Sequence, residues 1–406
     1  MAHTALTIAT DRIRLPHLLS DTRYRDKTLQ AIAAVLILTV LGWLISNTLT
    51  NMAALGKPIS FGFLFDKAGY DINQSLIPYS PESSHLRAAL TGLVNTLVVA
   101  AMGCATATVL GLFIGIARLS PNRPLAGLAR VYVEVFRNVP VLLWLLLIFA
   151  LITEALPPPS AFRGADHTAT MWLSDSIAVT NRGVFVPSLS FTTPGGAWML
   201  VAAIIGAGAC SFALARVADR RQRATGRRPG TWLPALGIWI ALVGLAVVWS
   251  GPALTVPELK GFNFRGGVHL RNSLIALWLA LSLYTAAFVA EIVRSGIAAV
   301  AEGQKEAAAS LGLSPGQTMR LVVLPQAQRV IIPPLISQYL SLTKNSSLAI
   351  AVGYMDLTGT LMGITLNQTG RELEAVLLGM GFYLSVSAGV SVALNWYNAR
   401  VQWKER

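Results

Sequence analysis

The sequence predicts an all-α membrane protein of about eight transmembrane helices, and three observations carry that prediction. Of 406 residues, 54% are hydrophobic and only 13% are charged, about half the charged share of a soluble globular chain. The apolar residues collect in stretches about twenty residues long, the length at which a helix rising about 1.5 Å per residue crosses about 30 Å of hydrocarbon. The Lys and Arg residues fall between those stretches and favour alternate connections, as inserted chains require.

The apolar stretches run roughly over 29–48, 90–117, 131–152, 197–215, 232–250, 272–292, 329–352 and 375–396. The first, around Ala31 to Ile45, follows a basic start and so imitates a signal peptide. Residues 1–28 are too long and too polar for an n-region, and no convincing cleavage site follows, so it counts as a span. Cys104 and Cys210 lie inside apolar stretches and read as small buried hydrophobes, with no metal site expected.

With the N-terminus in the cytoplasm, the segments 1–28, 117–130, 216–230, 293–329 and 399–406 carry 21 Lys or Arg residues. The segments then left outside, 50–88, 153–195, 251–271 and 352–372, are longer in total yet carry 9. The positive-inside rule places both ends in the cytoplasm and makes this a multi-pass inner-membrane protein. The net charge of +13 forms no continuous basic face, which argues against nucleic acid as a partner. Arg220-Arg221-Gln222-Arg223, with Arg227 and Arg228, reads as a topology anchor beside anionic lipid headgroups. The outside segment Pro157–Pro194 is rich in Pro, Gly, Ser and Thr, with Trp172 and Phe185 as isolated apolar residues. A partly ordered periplasmic loop is expected there.

The most informative stretch is cytoplasmic: Glu306-Ala307-Ala308, three residues, Gly312, nine residues, then Val322-Val323-Leu324-Pro325. Glu302 to Leu311 is Ala-rich and helical in composition, and Gly312 suits the left-handed position past a helix end. Ser314-Pro315-Gly316-Gln317 then opens a second helix, with Ser as N-cap, Pro at the first helical position and Gln in capping-box register. Pro325 is expected to stop it. Such a helix pair suits a membrane protein that receives a push from a soluble partner. The chain has no Gly-x-x-x-x-Gly-Lys-[Ser/Thr] phosphate loop, so energy comes from a partner or, in the alternative reading as a secondary transporter, from an ion gradient.

This spacing resembles the signature loop of ABC-importer permeases at every position. The flanks Ala290 to Ile297, Gly303-Gln304, Leu324-Pro325-Gln326-Ala327 and Lys344-Asn345-Ser346-Ser347-Leu348, with Tyr132 to Pro140, are similar to the polar-amino-acid permeases over residues 85–152 and 272–398. Asn181 to Pro187 and the remaining spans look like the larger permease of general L-amino-acid importers. The resemblance implies a five-helix permease core made of spans 2, 3, 6, 7 and 8, plus three extra spans.

The domains expected from it are a cytoplasmic N-terminus (1–28), an extra first span with a periplasmic segment (29–84) and the first part of the core (85–152). A periplasmic loop with two extra spans (153–271), the second part of the core (272–398) with a coupling loop at 293–328, and a cytoplasmic C-terminus (399–406) follow. It further implies a homologous permease subunit, two ATPase subunits that hold ATP and Mg, a periplasmic amino-acid-binding protein and an L-amino-acid substrate. The chain itself is expected to hold no cofactor and no catalytic residue.

Glu306, Ala307, Ala308, Gly312, Leu324 and Pro325 are the expected ATPase-coupling residues. Glu306 would contact the ATPase or favour its own helix start through the dipole. A second group, Glu134, Arg137, Pro140, Lys344, Asn345, Ser346 and Ser347, is the candidate substrate pathway or gate. Glu134 and Arg137 stand at i, i+3 spacing just before Pro140, which disturbs the helix as it enters the membrane; a gate and an interfacial ion pair both fit. Glu291 and Arg294 have the same spacing and fit a local ion pair.

Lys344 would lie about 15 Å deep if its span begins near Pro334. A lysine there faces the protein interior or water beside a carboxylate. Glu134 and the carboxylate of a bound amino acid both qualify. Ser346 and Ser347 serve either close helix packing or substrate contact. Tyr132 and Trp144 read as ordinary helix-face residues.

Overall fold

The computed structural model describes residues 22–163, 168–227 and 229–401. The expectations placed on residues 1–21, on Arg228 and on residues 402–406 lie outside the described residues. Two units are distinguished, Met1–Asp66 and Lys67–Arg406. The first contains α1 (Thr22–Ala54) and a 3-10 turn at Gly62–Phe65. From Ala31 to Ile45, α1 carries no charged residue, so it can meet lipid round its whole circumference.

The second unit opens on α2 (His85–Ala117), whose N-cap Ser84 accepts the backbone N–H of Arg87. The expected third span is then divided. α3 (Arg123–Asn138) is amphipathic, with Val133 buried and Arg130, Glu134 and Arg137 exposed, and α4 (Val141–Ala155) begins afresh. Pro140 causes the break: it disfavours helical backbone at Val139, which is extended at φ −111°, ψ 133°, and it has no N–H to give. The third span therefore starts at 141 and not at 131.

Part of the segment Pro157–Pro194, expected to be a partly ordered loop, joins residues 252–271 in a small β cap. It contains β1 (Ala178–Thr180), β2 (Gly183–Val186) and β3 (Ser188–Phe191). After the helices α5 (Gly196–Thr225) and α6 (Trp232–Ser250) come β4 (Pro252–Thr255), β5 (Glu258–Lys260), β6 (Asn263–Arg265) and β7 (Val268–Arg271). The strands pair antiparallel as β1-β2-β7, β3-β4 and β5-β6. Phe185, expected as an isolated apolar residue, is the centre of the cap: it is buried with Ala178 and Phe264 against Phe162, Met171 and Leu259. Short strands from both sides of the α5–α6 hairpin make this core, and no local sequence window contains both.

α5 continues past the expected boundary at 215, because Arg216 to Thr225 are mostly good helix formers that leave the apolar zone as helix. Trp239 donates to Ser211 across the hairpin at 3.1 Å. Trp232 and Trp249, both exposed, mark the ends of α6 about 25 Å apart, the placement of an interfacial aromatic belt. Cys210, expected buried, is exposed on α5, and Cys104 is half-buried; an apolar stretch faces lipid as readily as protein.

β7 runs directly into α7 (Asn272–Ala298), followed by α8 (Glu302–Ser310), α9 (Pro315–Thr318), a π-helical turn (Met319–Val323) and α10 (Leu324–Asn345). A 3-10 turn (Ser346–Val352), a second π-helical stretch (Thr358–Thr365), α11 (Leu366–Thr369) and α12 (Glu372–Val401) complete the chain. Seven helices among the described residues are long and apolar enough to cross a membrane, in α1, α2, α5, α6, α7, α12 and the stretch beginning at Val141. The eighth expected span corresponds to α10. It has the length, at 22 residues, but includes Arg329, Pro333, Pro334 and Lys344, which lower its apolar character, and it ends before the expected boundary at 352.

The core lies where α2 packs along α7, with Val99, Ala107, Leu277, Ala280, Leu281, Ala286 and Leu342 buried together. The two helices run in the same direction: Thr106 meets Trp278, and Gly111 meets Ala286 and Val289. A Cβ placed on Gly111 would stand 2.5 Å from Val289 Cβ and 2.9 Å from the carbonyl oxygen of Ala286, so only a hydrogen fits. Gly111→Val is expected to lower the thermal unfolding midpoint in detergent, by a cost of about 1–3 kcal/mol or more for overpacking. Gly127→Ala, with open space around it, is the matched control and should not lower it. Equal midpoints for wild type and Gly111→Val would refute the close-approach account.

Candidate functional site

The β cap and the start of α7 define one end of the core, called here the cap face; α8 and the π turn define the loop face at the other end of α7. On the loop face the Glu306 motif folds as a compact module. α8 ends at Ser310, and Gly312 takes φ +78°, a left-handed conformation that side chains with a Cβ resist. Ser314 and Gln317 form a capping box, with Gln317 Oε1 accepting Ser314 N–H at 2.9 Å and Ser314 Oγ accepting Gln317 N–H at 3.4 Å.

Pro325 does not stop the second helix, contrary to expectation. The π turn Met319–Val323 precedes it, and the N–H of Leu324 reaches back to Met319 O. This widened register takes up the discontinuity that the missing proline N–H would create, and the chain continues into α10.

The module is anchored as well as exposed. Val323 and Ala327 are buried against Val289, Val293, Ile297 and Val300 of the α7 end, and Gln326 donates to Gln304 at 3.1 Å, tying α10 to α8. Ala308 is buried, whereas Glu306, Ala307, Gly312 and Pro325 are exposed and Leu324 is half-buried. Leu311 is 82% exposed, Leu321 61% and Met319 40%. The outward surface thus combines a carboxylate with uncovered apolar side chains, a composition suited to a protein partner.

Beside this module a charge cluster joins three helix ends. Glu291 of α7 pairs with Arg118, which follows α2, with Arg294 at 2.6 Å and with Arg137 of α3 at 3.8 Å. The expected local pair of Glu291 and Arg294 is present within this larger cluster. A Glu134–Arg137 pair, one of the two readings of that spacing, is absent: Glu134 is exposed on α3 and makes no ion pair among the described residues. Arg137 turns to Glu291 and lies 5.3 Å from the Phe288 ring centroid, because Val133, Tyr132 and Phe136 press α3 onto α7 and bring Arg137 over it. Tyr132 donates to the Leu283 carbonyl at 2.7 Å and Phe136 stacks on Trp144 at 4.3 Å.

Lys344 is exposed on the surface of this chain, and among the described residues no acid pairs with it, so Glu134 is not its partner. Asn345 is half-buried next to it. Ser346 is buried and donates to Thr343 O at 2.8 Å, which satisfies its hydroxyl inside the fold. Ser347 is half-buried. No hydrogen bond or ion pair among the described residues joins Lys344 to Glu134 or Arg137.

A third cluster was not legible beforehand. Asp356, fully buried, accepts Gly359 N–H at 2.8 Å and the Tyr383 hydroxyl at 3.1 Å. Asn95 donates to Met355 O and Gln74 O, each at 2.8 Å, and Thr96 Oγ1 accepts Leu357 N–H at 3.1 Å. These bonds tie α2, the segment after α10 and α12 together. Asp356 lies outside the spanning helices, and burial raises its carboxyl to about 7, against the lowering effect of its hydrogen bonds to Gly359 and Tyr383. The one signal in the sequence was a lone acid before Thr358-Gly359, in N-cap position.

Because the folded pKa is raised, the stability linked to Asp356 is fully present below about pH 4 and is lost as pH rises through about 7. Asp356→Asn should therefore flatten the thermal-unfolding midpoint measured across that window. An unchanged slope in the variant would show that burial does not govern this carboxyl.

The family described as "Binding-protein-dependent transport system inner membrane component" matches residues 230–403. The chain is 49% identical over 415 residues to the glutamate/glutamine/aspartate/asparagine transport system permease protein BztB of Rhodobacter capsulatus, covering 97% of each chain. It is 44% identical over 388 residues to the general L-amino acid transport system permease protein AapQ of Rhizobium johnstonii, covering 95% of this chain and 94% of that one. To the putative amino-acid ABC transporter permease protein YhdX of Escherichia coli it is 43% identical over 386 residues, covering 93% and 94%.

The chain belongs to the binding-protein-dependent permeases, the inner-membrane subunits of ABC importers.

Proposed function

We propose that this chain carries L-amino acids across the inner membrane by alternating access, with a homologous permease subunit, two ATPase subunits that bind ATP and Mg, and a periplasmic amino-acid-binding protein. The observation that carries the reading is the loop-face module, exposed outward yet packed through Val323 and Ala327 onto the end of α7 and continuous with α10. A partner that moves α8 must move both helices. The names of the relatives, for glutamate, glutamine, aspartate and asparagine in one and for L-amino acids in general in another, support the substrate class.

On this reading the loop face and both termini are cytoplasmic and the cap face periplasmic, in keeping with the 21 Lys or Arg residues on the first side against 9 on the second. Nucleotide binding closes the ATPase dimer, Glu306 and the uncovered Leu311 and Leu321 receive the motion, and the helix ends tied by Glu291 separate. Lys344, exposed and without an acid partner among the described residues, would face the partner permease or the pathway. Its charge suits the carboxylate that all amino acids share.

Three outcomes test the reading. The purified chain alone should hydrolyse no ATP, whereas the assembled complex should; turnover that follows the pure chain would refute it. Gly312→Leu should leave membrane insertion intact and abolish coupled uptake, because the space is open but the backbone conformation is hostile to a Cβ. Wild-type uptake by that variant, with partners present, would remove the coupling role. Lys344→Met should assemble with near-normal basal ATPase activity but depress uptake of acidic, neutral and basic amino acids alike. Unchanged uptake of all three would take Lys344 out of the pathway.

A further inference from the structure

We propose that the tip of the β5–β6 hairpin, Phe262 with the guanidinium groups of Arg163 and Arg182 beside it, is a docking contact for the binding protein. The partner surface would be acidic around an apolar patch. The inference rests on the importer reading above and assigns its cap face a specific contact. β5 and β6 are joined by Gly261 and Phe262 alone, with Gly261 at φ +68°, the arrangement of a two-residue hairpin loop with glycine first.

The strand after the turn is fixed by Phe264, which is buried and meets Phe162 edge-on at 5.3 Å and Phe185 at 5.2 Å. Phe262, two residues earlier, is 85% exposed. The cap core is therefore complete without it. A large aromatic held outward by a fixed turn loses little side-chain freedom on binding.

The charges nearby point to the chemistry of the partner. Arg163 Cζ lies 5.3 Å from the Phe262 ring centroid, and Arg182 Nη1 donates to the Phe262 carbonyl at 3.4 Å. Both arginines are exposed, and neither has a carboxylate partner among the described residues. The acid of the hairpin, Glu258, is already paired with Lys260 at 2.8 Å. Two guanidinium groups against an uncovered aromatic ring form a residue combination enriched at protein interfaces, and their charge complements an acidic surface.

The tip is also mechanically connected to the core. Arg182 follows Asn181 in the turn between β1 and β2, and Asn272, the first residue of α7, donates its backbone N–H to Arg182 O at 3.2 Å and its side-chain amide to Asn181 O at 3.1 Å. His269 of β7 adds a bond to Arg182 O at 3.0 Å and stacks on Phe185 at 4.0 Å. A load on the Asn181–Arg182 turn reaches the start of α7 through the two hydrogen bonds of Asn272 and, through His269, the strand that leads into it.

The test uses the complete complex, with all partner subunits, in nanodiscs of phosphatidylcholine and, separately, of phosphatidylcholine with phosphatidylglycerol. ATPase activity is titrated with purified, amino-acid-loaded binding protein. Phe262→Ala and the double variant Arg163→Gln/Arg182→Gln should each raise the half-maximal concentration of binding protein about tenfold. Phe262→Trp should restore it. The double variant should also lose most of the salt dependence of stimulation.

The rate without binding protein, with the yield of assembled complex, reports folding. Half-maximal concentrations within twofold of wild type would overturn the proposal. So would an effect that follows the anionic lipid content and not the binding protein, which would make the tip a lipid contact. If the wild-type complex itself is not stimulated by any amino-acid-binding protein, the importer reading fails and not the docking contact alone.

Discussion

The separation between α2 and α7 is set by a contact that admits no side chain. At Gly111 the backbone of one helix meets Ala286 and Val289 of the other closely enough that a methyl group would overlap them. In a bilayer, lipid tails compete with side chains for apolar surface, so helix association depends on close van der Waals packing, and small residues permit it. The rest of the second unit takes its position from that seam. α3 lies on α7 through Val133, Ala287 and Ala290, α10 and the π turn before it reach α7 through Ala327 and Val323, and the charge cluster around Glu291 forms because the ends of α2 and α7 arrive together.

How much of this the sequence revealed depended on the range of the interaction. The loop-face module was legible nearly residue by residue because its determinants are local: a left-handed glycine, a capping box and an Ala-rich helix all lie within about twenty residues. Pro325 misled for a related reason. A proline forbids one hydrogen bond, which predicts a helix end, but a π turn just before it lets the helix continue with a shifted register. Pro140 did break its helix, since no such turn precedes it and Val139 is extended.

Contacts between distant segments were not legible. Spacing alone allows Arg137 a pair with Glu134, yet the packing of α3 on α7 carries it to Glu291, 154 positions away in a chain of 406 residues. Phe185 looked isolated because its companions Phe162 and Phe264 lie on opposite sides of the α5–α6 hairpin in sequence. Asp356 had a cap-like neighbourhood, but its burial comes from Asn95, Thr96 and Tyr383 on other helices. Hydropathy likewise counts apolar length and not surroundings. It merged an amphipathic helix with a spanning one at 131–152, and it assigned Cys210 an interior it does not have.

α7 is the element on which the two faces depend together. Its first residue hangs from the β1–β2 turn of the cap, and its last turns carry Ile297 and, just beyond the helix, Val300, against which Val323 packs. Between them lie 27 helical residues, about 40 Å of hydrogen-bonded rod. An α-helix transmits axial displacement well because its backbone bonds are short and cooperative, whereas a loop of the same length would absorb it. No flexible segment need intervene between a load on the cap and the coupling module, since three residues, Ala299 to Ala301, separate α7 from α8. The close seam with α2 then constrains the direction of that displacement. Gly111 lets the helices approach until the Val289 side chain meets α2 backbone, and such a contact resists sideways motion more strongly than sliding along the common axis. The packing that holds the subunit together in lipid thus also restricts the movements by which its two faces can communicate.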